Sequence, residues 1–296
     1  MLIESTQELM MKLVHSKVPE SSDARPRIAI AVRLKNERKF LPALIASLQE
    51  QTVFGNCELV FLDSGSADGS VEYLRRYADR IYAIEPSEFQ FGRSCNQIIS
   101  ACEAPYVVLL SAHVVIAEPD ALELAVGALE RNQKLAAVYL RQKTAGVPNK
   151  DFSAYESLFL KKRFPVSNLD MTAASIPTAA PISNAGAVVR RSVWVQTAFP
   201  EVQASEDVLW ARTVVKQGAS LLYIGERSIV HNHSETAEQV YRRVRINKVA
   251  QNGSKPQYRK AFFYFAGIFG ALLCIERASL ATSFRYAKAH AAAYIK

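Results

Sequence analysis

Four short segments carry the residue types that do chemistry. In LVFLDSGSADGS, Asp63 ends an apolar run, and small turn residues lead from it to a second carboxylate, Asp68. A carboxylate at a strand end can accept a hydrogen bond from a nucleotide base N–H or a ribose hydroxyl, while the small residues let a ligand approach the backbone. The same pattern also suits a plain turn in which Asp68 starts the next helix. In LLSAHVV, His113 follows another apolar run, as a ligand or as a packed residue. SEDVLW sets Glu206 and Asp207 at a helix start, where acids favour the helix dipole or serve as a proton acceptor. SIVHNHSET puts His231 and His233 two apart on a short strand, hence on one face, as metal ligands or as a surface pair.

The elements that must position these residues alternate. RIAIAVRL (27–34), CELVFLD (57–63), RIYAIE (80–85), YVVLLSA (106–112) and LAAVYL (135–140) read as strands. Apolar residues at helical spacing lie between them, over 42–51, after Asp68, over 94–102 and after Pro119. This order predicts an α/β fold around a mostly parallel, doubly wound, Rossmann-like sheet, in which a ligand lies at the carboxyl ends of the strands. That rule points to 63–68 and 111–113. The polar stretch 144–181, with a helix over 153–162, reads as an insertion at the site. SNAGAVVRR returns to strand, and SEDVLWARTVVKQG is a helix capped by Ser205 and stopped by Gly218. LLYIG and SIVHNH follow as two short strands. Residues 1–26 read as an N-terminal helix and linker, 27–240 as the main domain, and 241–296 as a basic, amphipathic helical extension.

Composition narrows the classes. Of 296 residues 49% are hydrophobic and 22% charged, which excludes a disordered tail, a collagen-like repeat and a disulfide miniprotein. The formal charge of +8 is unevenly spread: 241–296 holds eleven basic residues and one acid, so the first 240 residues carry −2. Cys57, Cys95, Cys102 and Cys274 show no paired spacing and sit among apolar residues, as buried reduced thiols would. The N-terminus has early acids and no apolar core of signal length, so no secretion signal is expected. The basic residues flank FFYFAGIFGALL and form no nucleic-acid motif, so no nucleic-acid partner is expected.

Taken in order, VRLKNE, LVFLDSGSADGS, FGRSCNQII, YVVLLSAHV, SNAGAVV, SEDVLWARTVVKQG and VHNH resemble the family-2 glycosyltransferases of the GT-A fold, over about 27–243. The resemblance implies inverting transfer of a sugar from a nucleotide-sugar donor to a hydroxyl of a glycan or lipid-linked glycan, in surface polysaccharide synthesis. It implies that Asp63 and the strand end Arg33–Glu37 hold base and ribose, that Asp68 shapes their pocket, that Arg93 faces the diphosphate, and that Asp207 is the catalytic base. It further implies a divalent cation, Mn²⁺ or Mg²⁺, held by His113 and His231, with His233 as the alternative. Ser111-Ala112-His113 stands where the family has an Asp-x-Asp motif, and GT-A relatives that modify polypeptides carry a histidine third in that motif.

The roles are chemically coherent. Cleaving a sugar–diphosphate bond builds negative charge on the leaving oxygens, which cations must offset. Imidazole ligands suit Mn²⁺ better than Mg²⁺. The attacking hydroxyl must lose a proton to one carboxylate, and Asp207 at a helix N-terminus is expected to have a low pKa. Two other classes compete: a nucleotide-sugar binder without transferase activity, and a nucleotidyltransferase, whose usual glycine-rich basic loop is missing from VRLKNERKF. The uncharged run 261–275, as a helix about 22 Å long, is too short for a hydrocarbon core of roughly 30 Å. With Phe262, Phe263, Phe265, Ile268, Phe269, Leu272 and Leu273 on a broad face and cations at both ends, it predicts peripheral docking on an anionic membrane, at its cytoplasmic face. The alternatives are packing on the main domain or pairing two subunits as a homodimer.

Overall fold

The computed structural model describes residues 11–17, 26–144, 154–176, 180–231 and 235–295. Three apolar runs make its centre: β2 (Ile28–Leu34) lies between β3 (Cys57–Asp63) and β5 (Tyr106–Ser111), all parallel. They are buried on both faces, which is why they read as unbroken hydrophobic runs. Side-chain size still alternates along β2. Ile28, Ile30, Val32 and Leu34 fill one side with α1 (Leu41–Gln49), α2 (Ser70–Leu74) and α4 (Ala121–Arg131). Ala29 and Ala31 face the other, against α3 (Phe91–Ser100) and α7 (Glu206–Lys216).

The sheet extends both ways from this centre. On one side β4 (Arg80–Ala83) adds parallel to β3, and β1 (Lys12–Ser16) closes the edge antiparallel to β4. The expected N-terminal helix is therefore corrected over 12–16, where KLVHS is an edge strand with Val14 and His15 half-buried and the rest exposed; 1–10 and 18–25 lie outside the described residues. On the other side β9 (Gly186–Arg190) runs antiparallel to both β5 and β7 (Leu135–Lys143), so the sheet is mixed at this point. β10 (Ser220–His231) is parallel to β7 and carries β6 (Val114–Ile116) and β8 (Leu169–Met171) antiparallel. The insertion thus contributes a strand, and it also contributes α5 (Ala154–Arg163).

β10 replaces the two short strands expected at LLYIG and SIVHNH. Gly225 lies in a bulge of this strand: its amide donates to Asn168 Oδ1 (2.8 Å), and a Cβ there would lie 2.0 Å from the Val166 carbonyl oxygen. The bulge lets β10 run on, so that its last residue, His231, pairs with Val114 at the start of β6. This register brings His231 to His113.

After β9, α6 (Arg191–Gln196) leads the chain back towards α7. Gly218, with φ of +96°, ends α7 as expected. Ser205 does not cap it: this residue has φ of +62°, and its hydroxyl bonds to the C-terminal region. That region is helical, comprising α8 (Ala237–Asn252), α9 (Tyr258–Cys274) and α10 (Leu280–Ala292). Val240, Val244, Leu272 and Ala293 bury themselves there around Tyr155 of α5. The broad apolar face expected on α9 is therefore divided. Ile268 and Leu272 point inward, whereas Phe262 and Phe263 stand exposed. Cys95 and Cys102 are buried as expected, but Cys274 is exposed. Among the described residues no helix is long and apolar enough to cross a membrane.

Candidate active site

The loops after β2 and β3 form one rim of the site. Asn36, in the left-handed region at φ +56°, donates its amide to Ser66 Oγ (2.8 Å) and accepts the Ala67 amide on Oδ1 (2.8 Å). The Glu37 amide donates to Ser70 Oγ, and the Arg38 amide to Asp68 Oδ2 (3.1 and 2.9 Å). Asp68 Oδ1 also accepts from the Ser70 amide and hydroxyl. The slight burial of Asp68 pushes its carboxyl up, but the bonds from Ser70 and the Arg38 amide outweigh this and hold it below the usual range. Asp68 is thus a knot between two loops, consistent with shaping a pocket.

Asp63 lies at the floor of that rim and is buried. Its Oδ2 accepts the Gly65 and Ser66 amides (3.1 and 3.0 Å), which fixes the carboxylate. Its Oδ1 is buried without a hydrogen-bond partner among the described residues. A buried carboxylate oxygen left unmatched costs about 1–3 kcal/mol, an amount that an incoming N–H donor would recover.

At the next strand end, β5 finishes at Ser111 and the chain turns through Ala112 and His113 into β6. His113 Nε2 and His231 Nε2 face each other at 3.0 Å, with their rings nearly parallel. Each ring is held from behind, His113 Nδ1 by Glu37 Oε1 (3.1 Å) and His231 Nδ1 by Gln142 Oε1 (2.8 Å). Glu37, expected at the ribose, is therefore engaged as the partner that orients His113. His233 lies outside the described residues. No cluster of three or more His, Cys, Asp or Glu suited to a metal is gathered among the described residues.

The opposite wall is the start of α7. Trp210 is fully buried, stacks on Phe199 and donates to the Thr197 carbonyl (2.6 Å), anchoring the helix that carries Glu206 and Asp207. Glu206 points inward. Its Oε1 accepts from Asn184 Nδ2 (3.3 Å) and lies 3.9 Å from both Arg33 Nη2 and Cys95 Sγ. Arg33 also donates to the Phe91 carbonyl (2.8 Å) and Ser94 Oγ, so this residue, expected at the donor, is engaged in joining β2, α3 and α7. Burial, and after it the charge of Glu206, raises the Asp207 carboxyl to about 7, against the lowering influence of the Val208 amide and Arg163. The expected low pKa is thus corrected: the helix terminus is present, but the like charge next door and the loss of water outweigh it.

Arg93, expected at the diphosphate, pairs with Glu201 through Nε and Nη2 (3.1 and 2.9 Å), with both side chains over two-fifths exposed. The cation nearest in effect to Asp207 is Arg163, at the end of α5, which donates to the Ile182 carbonyl. Nothing local in the sequence marked Arg163, Asn184 or Gln142, since each reaches the site only through the fold.

A mixed sheet with carboxylates and imidazoles at its strand ends is an α/β architecture with a polar site at one sheet edge, and comparison with known proteins identifies the family. Residues 29–194 match the family described as Glycosyl transferase family 2. The chain belongs to that family. It is 28% identical, over 195 residues, to the O-antigen chain rhamnosyltransferase WbaN of Salmonella anatum; the match covers 63% of this chain and 60% of that protein. Its fold is similar to that of the mannosyltransferase PcManGT from Pyrobaculum calidifontis, solved with GDP-Man and Mn²⁺ (TM-score 0.60, 17% identity, 91% of this chain and 85% of that one). It is also similar to S. aureus TarS 1-349 with UDP-GlcNAc (TM-score 0.52, 14% identity, 89% and 79% covered).

Proposed function

We propose that this protein transfers a sugar from a nucleotide-sugar donor to a hydroxyl of a glycan or lipid-linked glycan, with inversion, in the synthesis of a surface polysaccharide. The observation that carries the reading is the carboxyl of Asp207, held at about 7 at the start of α7. A general base works best with a pKa near the working pH, and one that takes the acceptor proton directly fits a single displacement. In this reading Asp63 Oδ1 receives the base N–H, Asp68 keeps the rim closed, and Asp207 takes the acceptor proton as the hydroxyl oxygen attacks the anomeric carbon. Arg33 acts through Glu206, and Arg163 joins Arg93 in facing the departing diphosphate. The name of the Salmonella relative makes rhamnose the first sugar to test. A thermal-shift screen of nucleotide sugars, followed by transfer from the labelled donor that raises the melting temperature, tests the proposal. Failure of every nucleotide sugar to stabilise the protein would overturn it. Binding without transfer to any glycan would leave the non-catalytic binder.

The histidine pair fits a divalent cation. With Nδ1 of each ring donating to Glu37 and Gln142, both Nε2 atoms present lone pairs across 3.0 Å, an arrangement that favours positive charge between them. His113 and His231 would hold the ion, and oxygens of the donor and of water would complete its shell. Two imidazoles favour Mn²⁺ over Mg²⁺. When bound, the ion would offset the charge that develops on the diphosphate.

The same reading has the protein docked peripherally on the cytoplasmic face of a membrane. Its support is the outer side of α9 and α10, where Phe262 and Phe263 are 68% exposed and Leu280 67%, among Arg259, Lys260, Arg277, Arg285 and Lys288. Each such cation adds about 1 kcal/mol at an anionic surface, less as salt rises. Flotation with anionic vesicles at low salt is expected, and loss of flotation is expected for the double variant Phe262→Ser, Phe263→Ser. A protein that stays unbound but sediments as a dimer would replace the membrane by a second copy.

A further inference from the structure

One groove of the molecule is not used by the donor, the cation or the base. It measures about 560 Å³, within the range of ligand sites, and runs between α8 and the loop that leads into Glu206–Asp207. Ile246, Val249 and Ala250 line it from α8, and Val202 and Gln203 face them from the loop. Residues 242, 245, 246, 249 and 250 share one face of α8 by helical spacing, so Arg242 and Arg245 border the same apolar strip. Ile246 is 48% exposed and Val249 44%, large values for branched apolar side chains on one face.

Two features say what the groove is for. Its loop wall is tied to α8 at Ser205, whose hydroxyl donates to Asn247 Oδ1 (3.2 Å) and accepts from Gln251 Nε2 (2.8 Å). Anything seated there is therefore held at a fixed distance from Asp207, two residues further on. The charges are also arranged for one kind of ligand. Glu201, the acid on the wall, is matched by Arg93, and Arg242 by Glu238 one turn back, whereas Arg245, among the described residues, reaches the Tyr241 hydroxyl (3.5 Å) and no carboxylate. An apolar strip bordered by guanidinium groups complements an amphiphile with a hydrocarbon tail and an anionic head.

We propose that this groove seats the lipid part of the acceptor: a prenyl-type tail along Ile246 and Val249, with its phosphate or diphosphate at Arg245 and Arg242. The inference rests on the transferase reading, since it is the acceptor of that reaction that is placed, but its test is separate.

Farnesyl diphosphate serves as the probe, titrated into the full-length protein by calorimetry alongside inorganic diphosphate and farnesol. Farnesyl diphosphate is expected to bind at least about tenfold more tightly than either half. Ile246→Glu and the double variant Arg242→Glu, Arg245→Glu are each expected to weaken it about tenfold or more, while the nucleotide-sugar thermal shift stays as in the wild type. The double variant Phe262→Ser, Phe263→Ser is expected to bind like the wild type, which separates the groove from the outer face of α9. Unchanged binding by Ile246→Glu, or equal binding of farnesol, would overturn the inference. Donor binding with no farnesyl diphosphate binding would overturn it too and leave the transferase standing. Groove-dependent binding with no nucleotide-sugar binding would instead overturn the transferase reading alone.

Discussion

On the β2–β3 side of the site, Asn36, Ser66, Asp68 and Ser70 tie two loops through backbone amides near the surface, whereas on the α7 side Arg33, Asn184, Glu206 and Asp207 are drawn together from distant parts of the chain, with Asn184 and Glu206 buried and Arg33 and Asp207 half-buried. The first arrangement stabilises a shape, with Asp68 satisfied by several donors and Asp63 held through one oxygen while the other is left open to a ligand. The second holds two adjacent acids where water is scarce, at the expense of stability, and the result is a carboxyl whose proton affinity suits chemistry. In the proposed reading, rigid recognition and a proton-accepting group ask opposite things of an aspartate, and the two walls would divide that work.

The sharpest way to break this contrast is Asp207→Asn. Loss of a general base typically costs about 10² to 10⁴ in rate, so transfer should fall at least a hundredfold with donor affinity nearly unchanged. In the wild type the rate should decline as pH falls through about 7, where Asp207 takes up its proton. The stability effect has the opposite direction. A carboxyl raised from 3.8 to about 7 on folding contributes stability below 3.8 that is lost as pH rises through 7. At pH 8 the variant should therefore melt no lower than the wild type, and higher if the buried charge dominates. Residual transfer above a tenth of wild type would assign the proton to another group.

Glu206→Gln tests why that carboxyl is raised. Removing the like charge should move the acid limb of the pH–rate profile to lower pH, with the plateau falling several-fold as Arg33 loses its partner. Glu206→Ala would damage packing as well, so Gln is the informative change. An unmoved acid limb would mean that burial alone sets the proton affinity.

Glu37→Gln separates two roles for one residue. If Glu37 orients His113, as their 3.1 Å contact suggests, the apparent Mn²⁺ affinity should fall roughly tenfold, read by calorimetry as well as by rate. A higher donor KM with unchanged Mn²⁺ affinity would return Glu37 to the ribose. Full wild-type activity in excess EDTA would remove the cation from the reaction altogether.

Much of the β2–β3 wall was legible because its signals are local. Asp63 closes an apolar run, SGSADG is turn chemistry, and Asp68 is followed within two residues by a helix. The opposite wall was legible only at Glu206 and Asp207. The proton affinity of Asp207 was not, because it depends on burial and on the charge of Glu206 rather than on the helix end that the sequence displays. Glu37 and Arg33 lie on the strand end that was singled out, yet their partners are 76 and 173 positions away, so spacing could not indicate them. The joining of LLYIG and SIVHNH into one strand escaped local signals for a similar reason: the bulge at Gly225 depends on the approach of Val166, from a distant part of the chain.

The smallest effect is expected at Asp68, and its sign completes the comparison. Asp68→Ala removes acceptors from the Arg38 amide and from Ser70, a loss akin to that of a helix cap at about 1 kcal/mol. Because Asp68 is exposed, its charge adds little beyond these bonds. Its carboxyl is held below 3.8, so its contribution is present above 3.8 and is lost as pH falls through the lowered folded value. The melting temperatures of wild type and variant should therefore differ by a few degrees from about pH 5 upward and converge in acid. Asp207→Asn should show the reverse, with its difference from wild type growing as pH rises through about 7. Donor affinity should fall only a few-fold for Asp68→Ala, since the rim loosens while Asp63 keeps its own amide donors. A variant that lost donor binding entirely, at unchanged melting temperature, would make Asp68 a direct contact to the nucleotide and not the knot that shapes its pocket.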